Sequence, residues 1–250
     1  MRPALILLLL FVSLTAANRL HRPDAPKGFL ELQFHHFIGK KILHSDSTYL
    51  NHFNEPFTVT KFRYYVSNIV VSNSATGKQY RLPDTYFLVN EAEPASKSIR
   101  VVVPAGGYDT ISFLLGVDSL RNTSGAQTGA LDPLNDMFWT WNTGYVMAKL
   151  EGSSPLSKLP HHLIEYHIGG YKKPHAVQQL IALKVPAKAV QVKSSGMAKV
   201  AIHADLDKWF YAKHPLKIAD QPACTTPGAL AVKYAENYAQ LFFIHSIKQP

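Results

Sequence analysis

Short runs of alternating apolar and polar residues, bounded by Gly, Pro, Asn or Ser, recur along most of this chain. Successive side chains of a β-strand point to opposite faces, so each run predicts a strand with one buried and one solvated face. Many such strands with frequent turn signals favour an all-β fold, an antiparallel β-sandwich. The eight predicted strands cover residues 29–37, 57–71, 99–103, 108–115, 139–150, 163–168, 177–185 and 199–203, with a hairpin expected across 104–107.

Two short helical segments near the C-terminus interrupt the strand pattern. The first is predicted at about 205–211. The second is expected to begin with Thr226 as its cap and Pro227 as its first residue, a position at which proline is favoured. Its apolar residues recur at helical spacing and predict a buried stripe. They are Leu230, Tyr234, Tyr238, Leu241 and Phe242.

The N-terminus has the pattern of a secretory signal peptide. Arg2 is followed by an apolar run over 4–12 and by small residues that end at Ala17, so residues 1–17 are predicted to be removed. Residues 18–250 are expected to form a single β-sandwich domain. The apolar run is short for a membrane span, and no later stretch approaches twenty apolar residues, so no transmembrane segment is expected. The predicted location is periplasmic or secreted.

Composition and motifs narrow the classes of function. Cys224 is the only cysteine, which excludes an intrachain disulfide, and 46% hydrophobic residues can supply a packed core. The net charge of +9 is spread along the chain without a basic run, so nucleic acid is not an expected partner. The chain lacks G-x-S-x-G, H-E-x-x-H, P-loop, G-x-G-x-x-G and C-x-x-C motifs. An enzyme is therefore not predicted.

Trp139 and Trp141 are two of only three tryptophans and follow a polar loop. In an extended run they would lie on one face, because residues two apart on a strand point the same way. This spacing suggests a shaped aromatic site, which could bind a ligand. Ordinary packing in the core is the equally weighted alternative.

Three of the twelve histidines are candidate metal ligands, since imidazole is a donor that soft and borderline metals use where thiolates are absent. His36 continues an apolar face and should point to the core. His167 precedes two glycines, which permit close approach of backbone or ligand. His203 ends a predicted strand and is expected near an edge. For each, a core histidine bonded to a carbonyl is the more common alternative.

Three carboxylates lie in the polar loop before the tryptophans, namely Asp118, Asp132 and Asp136. Aspartates in loops usually form turns and contact solvent. Calcium is the less favoured alternative, because no D-x-D-x-D-G loop is present.

Several motifs, in order along the chain, resemble one known family. They are F-R-Y-Y-V-S-N-I at 62–69, G-V-D-S at 116–119, L-D-P at 131–133, M-F-W-T-W-N-T-G-Y at 137–145 and Y-H-I-G-G at 166–170. The chain is similar to the MbnP-like proteins, exported proteins named for a methanobactin-associated copper protein, and most to their Bacteroidota-type branch. The M-F-W-x-W-x-x-G-Y block is the most specific part of this match.

The resemblance implies a β-sandwich that binds copper outside the cytoplasm. In related copper proteins of methane oxidisers, two histidines and a tryptophan oxidised to kynurenine hold the metal, and a dihaem peroxidase-like partner makes the oxidation. Trp139 or Trp141 matches the tryptophan, and His167 matches the H-I-G histidine. The second histidine has no match, since residues 121–124 read Arg-Asn-Thr-Ser where methanotroph members carry one. His36 or His203 could take its place, or the site could be lost.

The predicted function is therefore copper binding for metal acquisition or handling, without turnover of a substrate. The competing hypothesis is a binding module without metal, in which Trp139 and Trp141 form an aromatic platform for a glycan or peptide.

Overall fold

The alternating runs form two large β-sheets in the computed structural model, which describes residues 25–45, 47–141, 144–186 and 189–250. The predicted signal peptide, residues 1–17, lies outside the described residues. The strands, in chain order, are β1 (Lys27–Ile38), β2 (Lys41–Ile42), β3 (Thr48–Leu50), β4 (Pro56–Asn73), β5 (Lys78–Arg81), β6 (Tyr86–Asn90), β7 (Ser98–Pro104), β8 (Gly106–Tyr108), β9 (Thr110–Leu115), β10 (Phe138–Trp139), β11 (Gly144–Ser153), β12 (Leu163–Gly169), β13 (Gln179–Lys184), β14 (Val190–Val192), β15 (Met197–Asp205), β16 (Ala223–Cys224) and β17 (Phe242–Lys248).

The first sheet has the strand order β17-β15-β1-β2, with β7 also paired to β1. Its central pair, β1 and β15, is parallel, and its other pairs are antiparallel. In β1 and β15 the even-numbered residues are buried and the odd-numbered ones face outward, as the alternation predicts. The parallel register sets His35 directly beside His203.

The second sheet has the order β13-β9-β4-β11-β12-β16 and is built on the long strand β4. The short strands β3, β5 and β6 also pair with β4, and β10 pairs with β11. Near its middle, β4 contains a register shift between Ser67 and Val70, where Asn68 has a positive φ of +50°. Asparagine tolerates this left-handed conformation better than most residues. The small pair β8 and β14 lies outside both large sheets.

One hydrophobic core lies between the two large sheets, which confirms the predicted sandwich. Phe34 of the first sheet packs edge-on against Tyr64 and Phe113 of the second, with ring centroids 6.0 Å apart in both pairs. Such edge-to-face contacts add about 0.5–1.5 kcal/mol beyond the burial of area. The core therefore fixes which faces of the two sheets point outward.

Among the described residues, three short α-helices accompany the sheets: α1 (Ser119–Asn122), α2 (Asp207–Phe210) and α3 (Ala229–Tyr238). The α2 segment falls within the predicted 205–211. The α3 helix begins after Gly228, two residues later than the predicted proline start. None of the described helices is long and apolar enough to span a membrane.

Two strand predictions and one helix prediction were wrong. Residues 99–103 and 108–115 do not form a hairpin, because β7 pairs with β1 in the first sheet whereas β9 pairs with β4 and β13 in the second. Residues 139–150 do not form one strand, because β10 ends at Trp139 and a separate strand, β11, begins at Gly144. Phe242, assigned to a helical stripe, begins β17 instead, because its burial comes from the core beneath β15 and not from a helix face.

Candidate functional site

The two tryptophans of the 137–145 motif contact each other, although they do not share one strand. β10 ends at Trp139, which pairs with Gly144 of β11, so the chain reverses direction after it. The ring centroids of Trp139 and Trp141 are 5.3 Å apart, with planes at 39°. Trp139 is 7% exposed and Trp141 is 62% exposed. The pair therefore has one anchored indole and one that faces solvent.

Gly169, the first of the two glycines after His167, anchors the buried indole. A Cβ added to Gly169 would lie 2.5 Å from Cζ3 and 2.7 Å from Cη2 of Trp139, closer than real Cβ contacts. Only glycine lets the indole lie against this end of β12. The sequence predicted a close approach here, and the group that approaches is the side chain of Trp139.

His167 lies on the same face of β12 as the indole. Residues two apart on a strand share a face and are separated by roughly 7 Å, so His167 and the position that Trp139 covers are neighbours. The Nε2 atom of His167 lies 2.8 Å from Oε1 of Glu151. A carboxylate only accepts hydrogen bonds, so Nε2 is the donor, and Nδ1 carries the lone pair of the neutral ring. Among the described residues Nδ1 has no hydrogen-bond partner.

Two lysines share the carboxylate that holds His167. Oε2 of Glu151 lies 3.0 Å from Nζ of Lys61, and Oε1 lies 3.7 Å from Nζ of the buried Lys149. The hydrogen bond from His167, together with these charges, lowers the pKa of Glu151 to about 2. Both lysines also contact Asp136, at 3.2 and 3.0 Å. The imidazole is thus part of a compensated charge network on the outer face of the second sheet.

The three loop carboxylates perform local structural tasks. Asp118 caps α1 by accepting from the backbone of Arg121, and it also accepts from Asn68 and from the hydroxyl of Tyr86. Asp132 caps the short turn that follows it, and Asp136 binds the two lysines. Asp118 and Asp132 therefore stabilise local turns, as loop aspartates commonly do, and Asp136 forms ion pairs at a separate place.

His36 points into the core, as the alternation of β1 predicted. It is 3% exposed, and burial lowers its pKa, which favours the neutral ring. Its Nδ1 donates to the carboxylate of Glu91, and its Nε2 accepts from the hydroxyl of Tyr64 at 2.9 Å. Both ring nitrogens are therefore engaged by protein groups, and neither offers a lone pair to a metal in this arrangement.

His203 faces outward from the first sheet, and it is not near an edge. Residues 242–248 form β17 beside β15, so His203 stands on an interior strand between β1 and β17. Its ring lies 5.7 Å from that of His35 and 4.0 Å from that of His245, centroid to centroid. Phe37 packs against it at 4.3 Å.

The structure does not bring the three histidine candidates together. His167 lies on the outer face of the second sheet, His36 between the sheets, and His203 on the outer face of the first. Within residues 25–45, 47–141, 144–186 and 189–250, no group of three or more His, Cys, Asp or Glu side chains is arranged to hold a metal ion. What the fold does assemble is Trp139, Trp141, His167 and Glu151, which we call the tryptophan site.

Sequence reasoning missed the partners of these histidines. Alternation within 144–153 and 163–169 predicts that Glu151 and His167 point outward. It does not predict that β11 pairs with β12, which brings the two side chains together. His35 and His245 were missed for the same reason, since their strands are distant in sequence from β15.

Both the family profile and the solved structure that match this chain are those of MbnP. A profile of the MbnP family matches residues 27–226. No curated protein matches. Among solved structures, MbnP from Methylosinus trichosporium superposes with a TM-score of 0.55 at 12% sequence identity, covering 83% of this chain and 88% of that one. At this identity the structural likeness concerns the fold alone.

Proposed function

This chain belongs to the MbnP family, and from that premise we propose that it binds copper outside the cytoplasm and serves in copper acquisition or handling. The observation that carries the proposal is the tryptophan site. Its buried indole covers Gly169, two residues beyond His167 on the same face, and an exposed indole lies next to it. Two of the five motifs that carry the family resemblance, 137–145 and 166–170, thus meet at one place.

The donors of the tryptophan site fit a copper centre only in part. His167 offers Nδ1, and a neutral imidazole suits copper. An intact indole offers an N–H donor and no lone pair in its plane, so neither tryptophan is a ligand as it stands. Oxidation to kynurenine would replace the fused ring by an aromatic amine and a ketone, which supply nitrogen and oxygen donors. Glu151 is a nearby carboxylate, but it already accepts from His167 and contacts Lys61 and Lys149.

We assign the oxidation to Trp141, because its exposed ring is accessible to an external oxidising partner, for which the family suggests a dihaem peroxidase-like protein. Trp139 is enclosed against Gly169 and has little room for a change of ring shape. In this proposal Trp139 positions its neighbour, and His167 with modified Trp141 holds the metal. The site binds and delivers copper without chemical turnover.

The test is copper content and peptide mass of the exported protein purified from its own host. We expect stoichiometric copper and a kynurenine mass at residue 141, the latter lost when the peroxidase-like partner is deleted. His167→Gln keeps a donor for Glu151 but removes the imidazole, and it should abolish copper retention. His161→Asn is the matched control, because His161 is exposed and asparagine tolerates its positive φ. Wild-type protein without copper, or undiminished copper in His167→Gln, would contradict the proposal.

A second candidate function rests on the exposure of Trp141. A solvent-facing indole braced by another ring is a suitable platform for a sugar ring or a peptide. Unmodified tryptophans, together with quenching or protection of their fluorescence by glycans, would favour this function over copper binding.

A further inference from the structure

A cleft of about 470 Å³ lies beside β6, an edge strand of the second sheet. Arg63 of β4 and Asn90 of β6, which are direct partners across the antiparallel ladder, form part of one wall. Residues of the loop 129–135 form part of the opposite wall. Pockets that bind small molecules usually measure roughly 300–1,000 Å³. The cleft, which we call the β6 cleft, is therefore large enough for a small ligand.

Arg63 supplies an incompletely neutralised positive charge to the β6 cleft. Its Nη1 atom donates to the carbonyl oxygen of Asn135 at 2.9 Å and lies 3.7 Å from Asp136. Its buried Nε atom has no partner within the described part of the chain. Asp136 is shared with Lys61 and Lys149, at 3.2 and 3.0 Å. A guanidinium carries five N–H donors in a planar fork, so Arg63 keeps donors for the carboxylate of a ligand.

Glu93 brings a negative charge to the same cleft. Its Oε1 atom accepts a hydrogen bond from Nδ2 of Asn90 at 2.8 Å, and this amide carries no charge. Among the ion pairs of the described residues, Glu93 pairs neither with Arg63 nor with a lysine. Two opposite charges that line one cleft without neutralising each other are complementary to a ligand that carries both charges.

The backbone of β6 and an exposed leucine add to the recognition surface. The N–H and C=O of Asn90 point away from β4, since both bond to Oγ of Ser96. Leu88 lines the cleft and directs its own N–H and C=O the same way, because alternate residues of a paired strand share this direction. Leu134 on the opposite wall is 91% exposed. The cleft therefore offers backbone hydrogen bonds and an apolar contact between its two charges.

We propose that the β6 cleft binds an apolar amino acid, free or within a short peptide, with the carboxylate of the ligand on Arg63 and its ammonium on Glu93. This inference goes beyond the proposed function and does not depend on it, because neither His167 nor either residue of the tryptophan pair lines the cleft.

The experiment is a calorimetric titration of the metal-free mature protein with L-leucine and with the dipeptide leucyl-leucine. We expect binding at one site per chain, and the tighter of the two probes identifies whether the source is a free amino acid or a peptide. N-acetyl-leucine lacks the ammonium and leucinamide lacks the carboxylate. Each should bind roughly 10-fold or more weakly than leucine, because each loses a hydrogen bond between charged groups.

Two variants assign the charges. Glu93→Gln keeps an acceptor for Asn90 and should weaken leucine binding by a similar factor, while leaving N-acetyl-leucine unaffected. Arg63→Gln should weaken leucine and leave leucinamide unaffected. Asp220→Asn is the matched control, since Asp220 is exposed and does not line the cleft.

Glu93 is exposed, so Glu93→Gln reports on the site even if Arg63→Gln fails to fold, which circular dichroism of each variant shows. Absence of binding of both leucine and leucyl-leucine would overturn the proposal, as would equal affinity for leucine and N-acetyl-leucine or undiminished leucine binding in Glu93→Gln. His167→Gln should leave leucine binding unchanged, so the copper site and the β6 cleft can fail separately.

Discussion

The outer faces of the two sheets both carry histidines beside aromatic rings, yet the histidines are held in opposite ways. On the second sheet, His167 donates to Glu151, which two lysines also bind. On the first sheet, His203 contacts the rings of His35, His245 and Phe37, and within the described residues it has no bonded carboxylate. The difference shows that neighbours, not residue type, decide whether an imidazole is an anchored member of a charge network or an available donor.

The largest effect is expected from removing the anchor of the tryptophan site. Gly169→Ala would place a Cβ within 2.7 Å of two carbons of Trp139 and 2.9 Å from the carbonyl oxygen of Tyr145. Overpacking of this kind costs about 1–3 kcal/mol, and the clash with backbone puts this case at the upper end. Urea denaturation at pH 7 should show the loss, and Trp139 fluorescence should shift toward that of an exposed indole.

Gly228→Ala is the matched control, because a Cβ at Gly228 meets nothing within 4 Å. Its cost should be smaller, about 0.5–1 kcal/mol, because alanine is a poorer N-cap residue than glycine but meets no clash here. Equal destabilisation by the two substitutions would contradict the anchoring role of Gly169.

The charge network should show a smaller, pH-dependent effect. Glu151→Gln removes the acceptor of His167 and leaves Lys149 buried with Asp136 alone, at a cost of about 1–3 kcal/mol at pH 7. The native pKa of Glu151, about 2, is below its ordinary value of 4.5. Its contribution is therefore complete above pH 4.5 and is lost as the pH falls through about 2.

The measurement is the difference in unfolding free energy between wild type and Glu151→Gln at pH 7 and at pH 2.5. The difference should shrink on acidification. A constant difference would show that the carboxylate acts through packing and not through its charge.

His203 should produce the smallest change, with its own pH window. The pKa of His203 is about 4 in the folded chain and 6.5 ordinarily, so between these values the unfolded state binds more protons. Stability should fall as the pH decreases from 6.5 toward 4, by about 1 kcal/mol at most after solvent screening. His203→Gln should flatten this segment of the stability profile. An identical pH profile of the unfolding free energy for wild type and His203→Gln would place the acid sensitivity elsewhere in the molecule.

Much of the sandwich was predictable from local pattern. Alternation located β1, β4, β12 and β15 and placed His36 inward, because a period of two is a property of consecutive residues. The failures occurred where distant segments decide the outcome. The predicted hairpin across 104–107 was wrong because β7 and β9 pair with strands of different sheets. The strand β17 was not predicted, because the apolar residue Phe242 that begins it also fits the helical spacing of the preceding segment.

The sequence by itself determined the class of fold, the family motifs and the inward direction of His36, since these follow from periodicity and from residues near one another in the chain. Only the tertiary structure decided that Trp139 covers Gly169, that Glu151 holds His167, and that His203 stands between His35 and His245. The physical reason is that these contacts depend on strand register and sheet order, which bring together residues as far apart in the chain as His35 and His203 through the free energy of the whole core.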